Sequence, residues 1–230
     1  MSDLRYLITI IKRESHQSYI DFLKNYGVDC VFETLCNGTA GQNILSYFGL
    51  EKIEKIMLAA VVTPTNAIKI LKDSVSLMGI NLKGNGIALT IPIGSMGGNS
   101  SMNYLIGSQN LLEKEVVMNN EFNYALIVII ANKGYTDLIM ETARNVGANG
   151  GTVIHGKGTG AEYNRKFFGI SIADEKELIY IVSKKSDKDK IMMAIMENAG
   201  VNTDAHAIVF SLPVDNVAGL LSIQDKYKES

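Results

Sequence analysis

Slid against itself by 120 residues, the chain meets its own turns again. Gly27 falls on Gly147, Gly38-Thr39 on Gly158-Thr159, and Tyr47-Phe48-Gly49-Leu50 on Phe167-Phe168-Gly169-Ile170. With one residue of slippage Ile91-Pro92-Ile93 falls on Leu212-Pro213-Val214, and Gly79 on Gly200. Residues 4–50 against 124–170 share seven identities in 47 positions, gathered around presumed glycine turns. A repeat of this period means one supersecondary unit used twice, which constrains the fold more than any single motif. At 230 residues the chain has room for two domains of about 115, each large enough to bury a core.

Each copy reads as strand, helix, strand, strand, helix, strand. Residues 5–12 and 124–131 are β-branched and apolar, as strands are. Tyr19, Ile20, Phe22, Leu23 and Tyr26 recur at helical spacing over 15–26, and Gly27 follows as a left-handed cap. The counterpart is 135–146, closed by Gly147. Further strands are expected at 28–36 and 149–156, then at 56–62 and 177–183, and last at 87–93 and 206–212. Thr63-Pro64 opens a helix to about 78, with proline at a position where its missing N–H costs nothing. Ser186 is expected to cap a helix to about 198. The order β-α-β-β-α-β defines a split βαβ, or ferredoxin-like, domain: an antiparallel sheet with helices on one face. The fold class is therefore α+β with two tandem ferredoxin-like domains: residues 1–96, a linker at 97–122 and residues 123–230. Gly97-Gly98-Asn99-Ser100-Ser101 has flexible-linker composition, 108–118 has the pattern of a short helix, and 216–230 reads as a final helix or a frayed tail. Each sheet has one face without helices, and its strands are apolar on both faces (Leu7, Ile10, Ile127 and Ile129, for example), which points to burial against another sheet and to a homo-oligomer.

Composition excludes several classes of function. Apolar residues make up 47% and charged residues 20%, unlike a disordered chain. Lysine and arginine number 22 against 24 acidic residues, so no basic excess is available for a nucleic-acid backbone. The start lacks the pattern of a signal peptide, and no apolar run reaches the roughly 18 residues of a membrane span. Cys30 and Cys36 share one expected strand, too far apart to bridge each other. Two thiols fit a reducing, cytoplasmic setting.

Chemistry is sparse. His16, His155 and His206 form no spaced metal-ligand pair. Ser95, in Gly94-Ser95-Met96-Gly97, lacks the pattern of a nucleophile elbow. The glycine turns say more. Gly156-Lys157-Gly158-Thr159-Gly160 ends a strand, and chain without Cβ atoms can turn successive N–H groups toward one anion while a lysine adds charge. On spacing alone it is either an anion cradle or a bend into the long β2–β3 connection, expected at 157–176 and, in the first half, at 37–55. Lys83-Gly84-Asn85-Gly86 is either a second such corner or a tight turn. Met192, Met193 and Met196 read as core packing, and the lysines at 184–190 as a solvated helix start.

With these features in place the chain resembles the PII signal-transduction family over about 4–96 and 123–215. Lys157-Gly158-Thr159-Gly160 is similar to that family's motif at the base of its long T-loop, and Gly84-Asn85-Gly86 to its B-loop before the last strand. The first half keeps Gly38, followed by Thr39 as in the second half, and Gln42 matches a family glutamine that becomes Glu162 in the second half. The match departs at Ala40, at Ile87 where the family has lysine, and after the last strands, where its arginines have no counterpart. The resemblance implies ligand-binding residues Lys157, Gly158, Thr159, Gly160, Gly38, Thr39, Gln42, Gly84, Asn85 and Gly86. It implies a trimeric, non-enzymatic regulator sensing an adenine nucleotide (ATP, ADP, AMP or, as in divergent PII-like proteins, cyclic di-AMP). Such a regulator controls a transporter or enzyme through its β2–β3 loops in nitrogen metabolism. Two other classes stay open: a metal-binding protein resembling CutA, and a small enzyme with His155 or His206 as base. A histidine united with a carboxylate in one pocket would favour the enzyme.

Overall fold

The computed structural model describes residues 4–39, 53–93, 99–110, 122–157, 165–167, 170–172 and 175–220. It is a mixed α/β structure whose strand pairs are antiparallel, divided into two compact units. Unit 1 comprises Met1–Leu35, Ile53–Tyr124 and Pro213–Ser230, and unit 2 comprises Cys36–Lys52 and Ala125–Leu212. No single cut in the sequence makes this division. Residues 36–52 go with the second half, while 213–230 and the expected linker go with the first.

In unit 1 the elements are β1 (Arg5–Lys12), a 3-10 turn (Arg13–Ser15), α1 (His16–Lys24), the start of β2 (Phe32–Gly38, which passes into unit 2 at Cys36), β3 (Ile53–Val62), α2 (Pro64–Ser76), β4 (Gly86–Pro92) and α3 (Asn99–Ile106). β1 lies between β3, with Arg5 opposite Val62, and β4, with Arg5 opposite Pro92. Alternation puts Leu7, Ile11, Ile56, Leu58, Ala60 and Val62 on one face. There they pack in one cluster with Tyr19, Phe22 and Leu23 of α1 and Ala67, Ile70 and Leu71 of α2. Tyr19, Phe22 and Tyr26 stack edge to face at 5.7 and 5.2 Å between centroids. The Thr63-Pro64 start is where the sequence places it: Thr63 Oγ1 accepts the Asn66 N–H at 3.3 Å, with Pro64 in the first turn.

Three expectations need correction. First, Asn99–Ser101, expected as flexible linker, opens a helix, while most of the segment expected as a helix at 108–118 lies outside the described residues. Ile106 packs with Leu4 and Val61, flanked by Met102, Leu105, Tyr6 and Ile93. An apolar pair at i and i+4, Met102 and Ile106, gives the segment a face to bury, and burial overrides its glycine- and serine-rich lead. Second, α3 therefore covers the side of this sheet away from α1 and α2, so helices are not confined to one face. Third, the expected tail contains β11 (Asn216–Ala218), paired antiparallel with Thr90, Leu89 and Ala88 of β4.

The 107–110 segment is pinned by Asp29, whose carboxylate accepts the Ser108 hydroxyl at 2.6 Å and its N–H at 2.9 Å. These bonds favour the ionised form and hold the Asp29 carboxyl below its ordinary range. A depressed folded pKa contributes stability that is complete above the unfolded value of about 3.9 and is lost as pH falls through the folded value. The Ser108 amide resonance is expected to titrate with a midpoint below about 3.9, and the Asp29→Asn variant to lose that titration. A midpoint at or above the ordinary aspartate value would contradict it.

Unit 2 contains β5 (Tyr124–Asn132), α4 (Thr136–Asn145), β6 (Thr152–Lys157), a small hairpin of β7 (Arg165–Phe167) and β8 (Ile170–Ile172), β9 (Glu175–Lys184), α5 (Lys185–Ala199) and β10 (Ile208–Val214). β10, β5, β9 and β6 follow one another across the sheet, and Asn37 and Gly38 pair with Val153 and Thr152 of β6. The core joins Ile127, Ile129, Ile179 and Ile181 to Ile139 and Met140 of α4 and Ile191 and Ile195 of α5. Ser186 is not the cap: Lys184 precedes the helix without a side-chain bond, and the Ser186 hydroxyl donates to Asp187 at 3.0 Å. His206 lies in the turn before β10 at φ +45, with Nδ1 2.8 Å from the Val201 carbonyl. Neither Cys30 nor Cys36 is in a disulfide.

Candidate functional site

In unit 2 the chemistry gathers where β6 and β9 run side by side toward residue 157. The register sets His155 opposite Glu177, and Lys157 opposite Glu175. Glu177 is 4% exposed. It sits two residues before Ile179 on the alternation, so it shares the helix-covered face. Its Oε2 accepts the Thr136 hydroxyl at 2.7 Å and the Gly134 N–H at 3.2 Å, which places a carboxylate at the positive end of α4. Its Oε1 lies 3.5 Å from His155 Nδ1. On the other side of the ring, Asn37 Nδ2 is 3.3 Å from His155 Nε2. A carboxylate only accepts and an amide nitrogen only donates, so a hydrogen on Nδ1 and a bare Nε2 suit these two partners. The histidine is thus united with a carboxylate, as the enzyme reading asks. Each ring nitrogen faces a protein atom, however, and the pair forms a strut between β6 and the start of α4, with Asn37 beside it.

Charge at this end is mixed. Lys133 Nζ donates to Glu175 at 2.7 Å, and that carboxylate holds the ammonium above the ordinary lysine range. Lys176 Nζ donates to Asn132 Oδ1 at 2.5 Å. Counted along the sequence, Lys133, Lys157 and Lys176 against Glu175 and Glu177 give an excess of one positive charge.

The expected ligand residues fall in both units, and several of them lie outside the described residues. Lys157 is the last residue of β6; Gly158, Thr159, Gly160 and Gln42 lie outside the described residues. Gly38 pairs with Thr152, five residues back along β6 from Lys157 or about 17 Å at strand spacing. The antiparallel register of β2 with β6 sets this separation. Gly84, Asn85 and Gly86 form a turn in unit 1, with Gly84 at φ +81. Lys55 Nζ donates to the Gly84 carbonyl at 2.5 Å, and Asn85 Nδ2 to the Gly79 carbonyl at 2.9 Å. A Cβ on Gly86 would meet the Ile10 carbonyl oxygen at 2.3 Å, so this glycine is required by backbone packing. Glu177, Asn37 and Arg144 are the polar residues that sequence reading missed. Glu177 carried a signal: it is a carboxylate in phase with the core-facing Ile179 and Ile181. Among the described residues no group of three or more His, Cys, Asp or Glu side chains could hold a metal ion, and no helix is long and apolar enough to cross a membrane.

The family resemblance is borne out over the second half, where residues 124–221 match the family model of nitrogen regulatory protein P-II. The match spans β5 to β11 and takes in the strut and the Lys157 corner. No curated protein matches the chain. Among solved structures, the PII protein of Arabidopsis thaliana bound to citrate is similar at 20% identity and TM-score 0.34, with 41% of this chain and 80% of that one covered. A Bacillus cereus protein related to NIF3 is similar at 14% identity and TM-score 0.34, with 44% and 28% covered. A protein of unknown function from Galdieria sulphuraria is similar at 7% identity and TM-score 0.31, with 93% and 99% covered.

Proposed function

We propose that the chain is a PII-like regulatory protein built from two tandem ferredoxin-like units, and not an enzyme. It senses a small anionic metabolite, an adenine nucleotide, at the glycine corner that follows β6. It assembles as a homo-oligomer in the cytoplasm and passes the signal to a transporter or enzyme of nitrogen metabolism through the connection after Lys157. The single observation that carries this reading is the P-II family match over residues 124–221, which includes Lys157-Gly158-Thr159-Gly160. The strand order supports it: β5 lies between β10 and β9, with β6 outside. That is the arrangement a βαββαβ unit with right-handed crossovers adopts. The strut supports it as well, because it fixes the strand end from which the corner departs. Glycine backbone with lysine suits a phosphate, and the modest local charge suits a ligand carrying few of them. Ligand-dependent ordering of the following segment is how such a site reaches a partner.

Calorimetric titration of the full chain with ATP, ADP, AMP and cyclic di-AMP tests the reading. Saturable binding of at least one is expected, with an affinity that falls when Lys157 is replaced by Met. Silence from all four removes nucleotide sensing.

A further inference from the structure

The 120-residue repeat implies two equivalent corners per chain, at Gly38-Thr39 and Gly158-Thr159. The structure treats the first as closed. Thr39 is 2% exposed, and every polar group it carries is engaged within unit 2. Its N–H donates to the Gly151 carbonyl at 2.9 Å. Its hydroxyl donates to that same carbonyl at 2.9 Å and accepts the Gly151 N–H at 2.7 Å. Its own carbonyl accepts Arg144 at 2.7 Å. Gly151 itself is fixed by its neighbours: a Cβ there would stand 3.0 Å from both Met140 Sδ and the Tyr180 carbonyl oxygen. Gly38, one residue earlier, is in register with Thr152. An anion corner needs N–H groups free to converge on a ligand, and Thr39 has already given its own to Gly151.

In the Gly84-Asn85-Gly86 turn the central N–H is likewise spent, and the backbone around it is tied down. The Asn85 N–H donates to the Leu82 carbonyl at 3.0 Å, its side chain donates to Gly79, and Lys55 reaches the Gly84 carbonyl. Gly86 sits flat against Ile10.

We infer that both glycine corners of the first half are structural locks, so that the chain offers one nucleotide site where its repeat implies two. Thr39, Gly151 and Arg144 hold residues 36–39 as the outer strand of unit 2, and the 84–86 turn holds the start of β4. This deepens the proposed function and rests on it for the identity of the ligand, but the locks themselves stand on geometry alone.

Three measurements on the full chain decide it. In the Thr39→Val variant the Gly151 amide loses its hydroxyl acceptor, and its hydrogen exchange is expected to quicken about tenfold or more; an unchanged rate overturns the lock at Thr39. Inorganic pyrophosphate added to millimolar excess should leave the Gly38, Thr39, Gly84 and Gly86 amide resonances in place; movement of any of them overturns the inference. Calorimetry with a nucleotide that binds should give a stoichiometry near one per chain, whereas two per chain overturns it. If none of the four nucleotides binds, the proposed function fails while the exchange and pyrophosphate measurements still judge the locks.

Discussion

Replacing Asp215 by alanine is expected to destabilise unit 1 by about 3–5 kcal/mol, because it strips a buried guanidinium of its carboxylate. Asp215 Oδ2 accepts Arg5 Nε at 2.5 Å, with the two side chains 7% and 3% exposed. Its Oδ1 accepts the Thr90 hydroxyl at 2.5 Å and the Asn216 N–H at 3.0 Å. The clasp therefore joins β1, β4 and the residue that leads into β11. Beyond β11, Gly219 at φ +82 packs so close that a Cβ would stand 2.5 Å from the Gly86 carbonyl oxygen. Removing the carboxylate leaves Arg5 desolvated and takes an acceptor from Thr90, whose side chain is fully buried. Urea unfolding of the full chain measures the loss. The double variant Arg5→Met with Asp215→Leu separates charge from packing, since exchanging a buried pair for apolar residues is often neutral or stabilising. It should recover most of the loss. If Asp215→Ala unfolds at the urea concentration of the parent chain, the clasp contributes nothing and β11 is held by pairing alone.

The clasp also marks where sequence reading stops. β1, β3, α2 and their copies were legible because each carries its own periodicity, and at Thr63-Pro64 its own start signal. β11 was not: Asp215-Asn216-Val217-Ala218-Gly219 has turn composition, and only the edge of β4 and the Arg5 charge make a strand of it. The division into units was hidden for the same reason. Asn37 and Gly38 read locally as the end of a strand in the first half, while their pairing with Val153 and Thr152 is a long-range fact. At the candidate site the glycine corners and His155 were visible as residue types. What each corner does was not, because that depends on whether its N–H groups are already spent. Thr39 and Thr159 are identical in sequence, and only the partners of the first, Gly151 and Arg144, disclose its role. The tertiary partners of Glu177 likewise turn a phase anomaly on β9 into the anchor of α4.

Gln109 gives the second large effect, and its position could not be foreseen in a stretch read as linker. The side chain is 6% exposed, and both ends of its amide are used twice. Oε1 accepts the Thr63 N–H at 3.1 Å and Asn66 Nδ2 at 3.0 Å. Nε2 donates to the Val61 carbonyl at 2.9 Å and the Ile106 carbonyl at 3.0 Å. One amide thus closes the end of β3, the start of α2 and the end of α3, and Asn66 extends the network to the Tyr26 carbonyl at 2.8 Å. Gln109→Ala leaves these groups without Gln109 in a site that excludes water, and each one stranded costs about 1–3 kcal/mol. The expected loss in urea unfolding is about 3 kcal/mol or more, accompanied by faster exchange of the Thr63 amide. Gln109→Glu discriminates hydrogen bonding from bulk. It keeps the volume and the two acceptor contacts at Thr63 and Asn66, but sets a carboxylate oxygen against the Val61 and Ile106 carbonyls, where like partial charges repel. It should therefore be destabilised at neutral pH and recover in part as acid protonates the introduced carboxyl, which then donates again. A chain that tolerates both substitutions equally and without pH dependence would show that the 107–110 segment is held by Ile106 and Asp29 alone, with the amide a bystander.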